Sequence, residues 1–267
     1  MARTIPRSLA AIIENLELDS DVIVTTDRLS GLASTGKSTV DPHKLAYSLQ
    51  EAGWLGSLRT RGAWEFIPAS RAGRFSSGDR FLEFRAQRAV NPEWPGVLAM
   101  ESAAVLLSLA TRLPGQECFV LPPDFPVPKA FSRRWRAISL ALPASAITSV
   151  QGLPVLGLEG LLAAIAARPS NYRDAAGLGS WLSDATDAVD LDIALVILET
   201  LPLAAVQRFA YLLGAGGNNK ARALVVHRYP PRGVSWFGPR EQGGVFDPIS
   251  QVSDTTLSRY LSVGTGA

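Results

Sequence analysis

The stretch from Asp41 to Ile67 constrains the fold more than any other part of the sequence, because it reads as a short helix followed directly by a hairpin. Asp41 is a typical helix N-cap, and Pro42 suits the first helical position, where its missing N–H would have no partner. Gly53 suits the left-handed residue that ends many helices. The sequence therefore predicts a helix between Pro42 and Gly53.

This helix is amphipathic. Apolar side chains share one face at helical spacing: Leu45, Ala46, Leu49 and Ala52. The opposite face carries polar and aromatic side chains: His43, Lys44, Tyr47 and Glu51. A helix with this pattern buries its apolar face in a core and leaves the polar face available to solvent or to a ligand.

A hairpin follows, and its turn carries Arg59 and Arg61. On the returning strand, Trp64 and Phe66 alternate with a small and an acidic residue, which predicts a strand that is buried on one face only. A helix with a free polar face and an arginine-bearing hairpin are typical of a winged helix-turn-helix. In that fold the helix enters the major groove of DNA and the wing contacts the backbone.

The residues before Asp41 complete this layout. They predict an amphipathic helix from Arg7 to Leu16, a strand from Asp21 to Thr25 and a second helix that begins at Thr26. We therefore expect an α+β protein. A winged helix-turn-helix domain would occupy residues 1–80, and a larger mixed α/β domain would occupy residues 81–267.

Within the larger domain, the pattern predicts a strongly apolar helix over residues 97–113 and a second helix over residues 157–167. Residues 118–121 are predicted to form a strand that packs Cys118. The segment after residue 229 is rich in proline and glycine and predicts no clear element.

Composition excludes several classes of protein. The 267 residues are 47% hydrophobic, which is enough for a sizeable core, and the net charge of +2 argues against a polybasic scaffold. One cysteine and two histidines exclude an internal disulfide and argue against a zinc site. The sequence has no apolar run long enough to span a membrane. We expect a cytoplasmic protein without a metal or another cofactor.

Basic residues are nevertheless concentrated in places. Between Leu55 and Val90 the sequence has seven arginines against three acidic residues. Two further basic segments, residues 129–136 and 220–232, either bind an acidic partner such as a toxin or are simply solvated. The candidate residues of this partner surface are Lys129, Arg133, Arg134, Arg136, Lys220 and Arg222.

Residues 31–38 read GLASTGKS and match the phosphate-binding loop pattern. That loop requires a strand directly before it and a long helix that begins at its lysine. Here a helix is predicted before the motif, and Pro42 falls where the following helix would have its interior. We expect instead a loop that precedes the recognition helix, in which Lys37, Ser38 and Thr39 contact DNA phosphates.

A second motif resembles nucleotidyltransferases, in which a Gly-Ser turn and an Asp-x-Asp strand hold Mg²⁺ for phosphoryl transfer. The corresponding residues are Leu178-Gly179-Ser180 and the pair Asp190 and Asp192. The pattern requires residues 190–195 to be a strand. The leucines fit both a helix capped by Asp190 and an alternating strand, so periodicity leaves an enzyme open as an alternative.

A succession of motifs along the chain is similar to one known family. The N-terminal residues that carry the similarity are Leu49, Gly53, Trp54, Leu55, Arg61, Gly62, Trp64 and Phe66. Residues 152–172 and 207–217 are similar to the C-terminal domain of the same family. The chain thereby resembles AbiEi-type antitoxins, the transcriptional regulators of AbiE (type IV) toxin–antitoxin pairs, and in particular the mycobacterial-type members.

This resemblance implies a non-enzymatic antitoxin that represses its own operon. It would bind inverted repeats in double-stranded promoter DNA and counteract a nucleotidyltransferase-like toxin through its C-terminal domain. The residues predicted to contact DNA are Lys37, Ser38, Thr39, His43, Lys44, Tyr47, Arg59 and Arg61. The alternatives are the nucleotidyltransferase and a winged helix that binds a protein instead of DNA.

Overall fold

The computed structural model describes residues 9–35, 41–71, 78–131, 134–241 and 243–261. The chain is an α+β protein that divides into two compact units. The N-terminal unit comprises residues 1–94 and 127–132, and the C-terminal unit comprises residues 95–126 and 133–267. The division falls after Trp94, whereas the sequence predicted a boundary at residue 80.

The N-terminal unit combines four helices and a small sheet within its described residues. Its elements are α1 (Ala10–Leu18), β1 (Ile23–Thr25), α2 (Thr26–Thr35), α3 (Pro42–Glu51), β2 (Leu55–Ser57), β3 (Ala63–Phe66) and α4 (Leu82–Val90). The strands form an antiparallel sheet in the order β1-β3-β2. The predicted helices and strands up to β3 are confirmed.

The core of this unit lies between the first three helices and one face of the sheet. Its fully buried side chains include Leu16, Val24, Leu29, Leu49 and Phe66. Each is a residue that the helical or alternating pattern assigns to an apolar face, so local periodicity accounts for this core.

Helix α4 explains why the division falls later than predicted. It packs against β1 and β3, and Ala63 and Glu65 of β3 are only 3% and 4% exposed. Their neighbours Trp64 and Phe66 point to the opposite face of the strand. The prediction that β3 is buried on one face only is therefore wrong, because α4 covers the second face.

The C-terminal unit contains a five-stranded sheet, a group of helices and a small second sheet. Its elements are β4 (Val97–Leu98), α5 (Met100–Leu106), β5 (Glu117–Leu121), β6 (Trp135–Ser139), β7 (Ile147–Val150), β8 (Leu153–Leu156), α6 (Leu158–Ala167), α7 (Ala175–Asp187), α8 (Leu191–Leu198), α9 (Leu203–Ala215), α10 (Asn219–Arg228), β9 (Ser235–Phe237), β10 (Val245–Asp247) and β11 (Val252–Asp254). The sheet orders are β6-β5-β4-β8-β7 and β10-β11-β9.

Helix α6 is the centre of this unit. Its residues from Leu161 to Ala166 are fully buried, and it packs against α5, α8 and α9. A Cβ atom on Gly160 would lie 2.3 Å from the carbonyl oxygen of Ala146, so only glycine permits this close approach. The predicted helix over residues 157–167 is confirmed.

The predicted helix over residues 97–113 is wrong at both ends. Val97 and Leu98 form β4, the central strand of the larger sheet, and α5 ends at Leu106. The chain changes direction between the two elements at Ala99 and Met100, and Met100, the first residue of α5, has φ +50°. A buried central strand and a buried helix are both continuously apolar, so hydrophobicity alone did not distinguish them.

Two further expectations concern single features. Cys118, predicted to be packed, is fully buried on β5, and burial raises the pKa of its thiol to about 12. It is therefore a neutral core residue near pH 7 and not a reactive thiolate. Among the described residues, no helix is long and apolar enough to cross a membrane.

Candidate nucleic-acid interface

Helix α3 is fixed in the N-terminal unit by its cap and by its apolar face. The Asp41 carboxylate accepts a hydrogen bond of 2.9 Å from the backbone N–H of His43, and Pro42 occupies the first helical position, as predicted. The side chains that anchor the helix are each at most 4% exposed: Leu45, Ala46 and Leu49. The orientation of the opposite face is thereby set by the core.

That opposite face is exposed. His43, Lys44, Tyr47 and Glu51 are all solvent-accessible, and Tyr47 is 64% exposed despite its aromatic ring. The His43 ring lies edge-on to Trp64 of β3, with 6.4 Å between ring centroids. The face thus presents hydrogen-bonding groups and one large aromatic ring to whatever approaches α3.

The turn between β2 and β3 lies next in the chain and carries exposed side chains of Arg59 and Arg61. Thr26 holds one side of the turn: its backbone N–H and its hydroxyl donate to the carbonyl oxygen of Gly62 at 3.0 and 3.3 Å. Gly62 has φ +78°, a conformation that favours glycine. On the other side, the carboxylate of Glu83 binds the turn.

A hydrogen bond also joins the helix to the hairpin. The side-chain amide of Gln50 donates to the hydroxyl of Ser57 at 2.8 Å. The polar face of α3 and the arginine-bearing turn are therefore held together, and the exposed side chains of this surface include Lys44, Arg59 and Arg61.

The motif at residues 31–38 and the phosphate contacts predicted beside it come next. Lys37, Ser38 and Thr39 lie outside the described residues. Gly31, which would open a phosphate-binding loop directly after a strand, lies inside α2, and the next described helix begins at Pro42. The structural requirements of that loop are not met, as the sequence indicated.

Two residues of the predicted partner surface are largely buried in ion pairs. Arg136 pairs with Glu101 at 2.6 Å, with side chains only 11% and 8% exposed. Arg222 pairs with Asp247 at 3.4 Å, with side chains 16% and 15% exposed. These arginines are structural because each is neutralised by an acid that lies far away in the sequence. The remaining residues are exposed, except Arg133, which lies outside the described residues: Lys129, Arg134 and Lys220.

The strand required for a nucleotidyltransferase is a helix. Asp190 is the N-cap of α8, and its carboxylate accepts from the backbone N–H groups of Asp192 and Ile193 at 3.0 and 3.2 Å. The proposed Gly-Ser turn lies inside α7. Within the described ranges, no group of three or more His, Cys, Asp or Glu side chains is placed to hold a metal ion. Asp190 is thus a helix cap, and Asp192 lies in the first turn of the same helix.

We expect Asp190→Ala to lower the free energy of unfolding by about 0.5–2 kcal/mol, the cost of losing an N-cap. Asp192→Ala should cost less, since Asp192 contributes only a favourable charge in the first turn of α8. Urea denaturation with and without Mg²⁺ measures both effects. Stabilisation of the wild-type chain by Mg²⁺ that both variants lose would contradict the assignment as a cap.

Comparison with known proteins identifies the C-terminal part of the chain. Residues 96–215 match the family model described as the AbiEi antitoxin C-terminal domain. The matched range begins just before β4 and finishes at the end of α9. No curated protein matches the chain.

One solved structure covers almost the whole chain. It is the crystal structure of the RV2827C protein from Mycobacterium tuberculosis, which matches with a TM-score of 0.82 and 26% sequence identity. The match covers 97% of this chain and 95% of that chain. The two-unit architecture is therefore shared with a mycobacterial protein.

The family match shows the class of protein: the C-terminal part of the chain is a domain found in the antitoxins of toxin–antitoxin pairs. The particular family is AbiEi: its antitoxin C-terminal domain is matched by residues 96–215, and the similar solved structure is that of a mycobacterial protein, which is consistent with the mycobacterial type. The resemblance that the sequence motifs indicated is thereby confirmed.

Proposed function

We propose that this chain is an antitoxin that represses its own operon by binding promoter DNA through its N-terminal unit. The observation that carries the proposal is the exposed polar face of α3, held beside an arginine-bearing turn. The element order from α1 to β3 is that of a winged helix-turn-helix, with α3 as the recognition helix and the hairpin as the wing. Such a repressor acts in the cytoplasm, where its operator lies.

The dimensions and chemistry of α3 suit the major groove, which admits one α-helix. Lys44 and Tyr47 are three residues apart and therefore share one side of the helix. A lysine can donate to guanine O6 and N7, and an aromatic ring can pack on a thymine methyl group. His43, in the first turn, adds a further hydrogen-bonding group.

Arg59 and Arg61 would meet the phosphate backbone or the minor groove beside the site read by α3. Such contacts fix the register of the protein on the duplex and supply most of the salt-dependent affinity. Lys37, Ser38 and Thr39, which precede α3 in the sequence, are proposed to add phosphate contacts. Two copies of the chain on inverted repeats would double these contacts.

The antitoxin activity is assigned to the C-terminal domain because residues 96–215 match the AbiEi antitoxin C-terminal domain. We propose a nucleotidyltransferase-like toxin as its target. The exposed residues Arg134 and Lys220 of the C-terminal unit stay candidates for contact with that toxin, and Lys129 of the N-terminal unit stays a separate candidate.

The arginines provide the first test of the DNA-binding proposal. Changing both Arg59 and Arg61 to alanine should weaken binding to promoter DNA and to unrelated duplex alike, because phosphate contacts carry no sequence information. The slope of log K against log salt should become shallower by about 0.9 for each phosphate that the variant no longer neutralises. A mobility-shift titration at several salt concentrations measures both quantities.

A matched control changes Arg134 and Arg232 to alanine, since both are exposed arginines of the C-terminal unit. It removes the same net charge and should leave the salt slope unchanged. An identical loss in both variants would show a general charge effect and would contradict the wing. Failure of the wild-type chain to shift any duplex would overturn the proposal and leave α3 as a protein-binding face.

A further inference from the structure

Glu83 joins the arginine-bearing turn to α4. Its Oε1 accepts a hydrogen bond from the backbone N–H of Arg59 at 2.9 Å. Its Oε2 accepts from the backbone N–H of Thr60 at 3.2 Å and from the Thr60 hydroxyl at 3.1 Å. Thr60 is only 5% exposed although it lies in the turn, so the centre of the turn is fixed while the flanking arginine side chains are exposed.

The helix that carries Glu83 is itself well anchored. Phe84, the next residue, is fully buried and lies edge-on to Trp94, with 5.0 Å between ring centroids. The guanidinium of Arg88 donates to the carbonyl oxygen of Trp94 at 2.7 Å. Because α4 also packs against β1 and β3, the carboxylate of Glu83 is a fixed point for the turn.

The charge of Glu83 is unfavourable for DNA binding when it is considered alone. A carboxylate beside the wing repels phosphates, and it offsets part of the positive charge that the arginines supply. Its hydrogen bonds act in the opposite direction. Bonds to a charged acceptor are about twice as strong as neutral ones, and a fixed backbone reduces the ordering cost that long side chains incur on binding.

We propose that Glu83 is the positioning residue of the wing: it fixes the backbone of residues 59 and 60 so that Arg59 and Arg61 reach the DNA backbone together. The inference rests on the proposed function of the N-terminal unit. It assigns a role in DNA binding to α4, which lies beyond the winged-helix domain that the sequence predicted.

The sign of one substitution separates the two effects of Glu83. Glu83→Gln removes the negative charge and places an amide N–H₂ group against donors that need an acceptor. If Glu83 acts only as a charge, the full-length variant binds a labelled duplex from the region upstream of its own reading frame more tightly. If Glu83 positions the wing, the variant binds that duplex about tenfold more weakly.

Glu51→Gln is the matched control. Glu51 is an exposed acid on α3, so this variant removes the same charge near the proposed interface and leaves the Glu83 hydrogen bonds intact. It should bind the duplex as tightly as the wild-type chain or more tightly. Thr60→Val keeps the shape of its side chain and removes one of the three bonds, so it should give a smaller loss than Glu83→Gln.

A double-mutant cycle shows whether Glu83 acts through the arginines. In a chain that already carries Arg59→Ala and Arg61→Ala, Glu83→Gln should change the affinity by less than about twofold. In the otherwise wild-type chain, it should also make the salt dependence shallower, towards that of the double arginine variant. A general loss of stability would lower affinity equally in both backgrounds, which would overturn the inference.

The possible failures are distinguishable. A wild-type chain that binds no duplex refutes the proposed function, and this inference with it. A wild-type chain that binds, together with a Glu83→Gln variant of equal or higher affinity, refutes only the role of Glu83. Urea denaturation of each variant shows whether the N-terminal unit is folded, and Thr60→Val provides the same test if Glu83→Gln does not fold.

Discussion

Replacing both Lys44 and Tyr47 by alanine is expected to abolish the preference of the chain for its own promoter DNA. Each well-placed contact to a base edge contributes about 1–3 kcal/mol of discrimination, so the loss of two should weaken specific binding by about a hundredfold or more. Binding to unrelated duplex should change far less, because the phosphate contacts of the wing are retained.

The folded state should tolerate this double variant. Both side chains are exposed, alanine favours a helix, and exposed substitutions usually change stability by less than about 0.5 kcal/mol. A competition titration with promoter and unrelated duplexes gives the specificity ratio directly. Lys220→Ala with Tyr260→Ala is the control, since it removes the same two residue types from exposed positions of the C-terminal unit.

An unchanged specificity ratio would show that α3 does not read base edges, even if the wing binds phosphate. A fall in affinity without a fall in specificity would reduce Lys44 to a phosphate contact. Either outcome would move the sequence readout away from α3, whereas loss of both specificity and affinity for the promoter supports the proposed recognition helix.

The candidate interface was predictable because the signals that define it are local. Asp41 and Pro42 mark the helix start, and the apolar side chains that anchor α3 recur at helical spacing within ten residues. The alternation of Trp64 and Phe66 likewise indicates a strand without reference to the rest of the chain. In such segments, propensity, capping and burial all favour the same structure.

The errors arise where distant parts of the chain meet. The sequence pattern indicates that Arg136 is a surface residue. In the structure it pairs with Glu101, which lies 35 residues earlier in the chain. The acid that neutralises Arg222 lies 25 residues later in the chain. The contact between Glu83 and Arg59 was not predictable for the same reason, since the two residues are 24 positions apart in the sequence. Charge patterning along a sequence does not show which opposite charge the fold will place beside a given residue.

Secondary structure was ambiguous for the same reason in the apolar segments. Val97 and Leu98 belong to a strand because β5 and β8 lie on either side of them, and neither neighbour is close in sequence. The spacing of the leucines after Asp190 is compatible with a helix capped by Asp190 and with a strand. In the structure the segment is helix α8, which packs against α6. Tertiary contacts, which no local window contains, decide such cases.

A second large effect is expected at Asp254, a fully buried carboxylate at the end of β11. Its Oδ1 accepts from the backbone N–H groups of Thr256 and Leu257 at 2.8 Å each. Its Oδ2 accepts from the Tyr211 hydroxyl and from the backbone N–H of Ser258, both at 2.5 Å. Burial, with the nearby Asp254 charge, raises the pKa of Tyr211 far above its usual value, so the phenol stays protonated and donates.

Asp254→Asn should lower the free energy of unfolding of the C-terminal unit by about 2–5 kcal/mol. The asparagine keeps one acceptor oxygen and turns an N–H₂ group towards buried donors, and each donor left without a partner costs about 1–3 kcal/mol. Tyr211→Phe is the matched comparison, because it removes one donor and leaves the three backbone bonds to Asp254 in place. It should cost about 1–2 kcal/mol, and urea denaturation of the full chain gives the order of the two variants.

The relative loss of unfolding free energy in the two variants tests how the segment around Asp254 is attached to the domain matched by residues 96–215. Tyr211 lies on α9, inside the range 96–215 that matches the AbiEi family, whereas Asp254 lies beyond that range. Gln207 of α9 makes a similar connection through its side-chain amide, which donates to the carbonyl oxygen of Gly233 at 2.8 Å. If Asp254→Asn costs no more than Tyr211→Phe, the turn after β11 does not depend on the charge of Asp254. A much larger cost would show that the segment beyond the matched domain is held by a buried carboxylate and not by apolar packing alone.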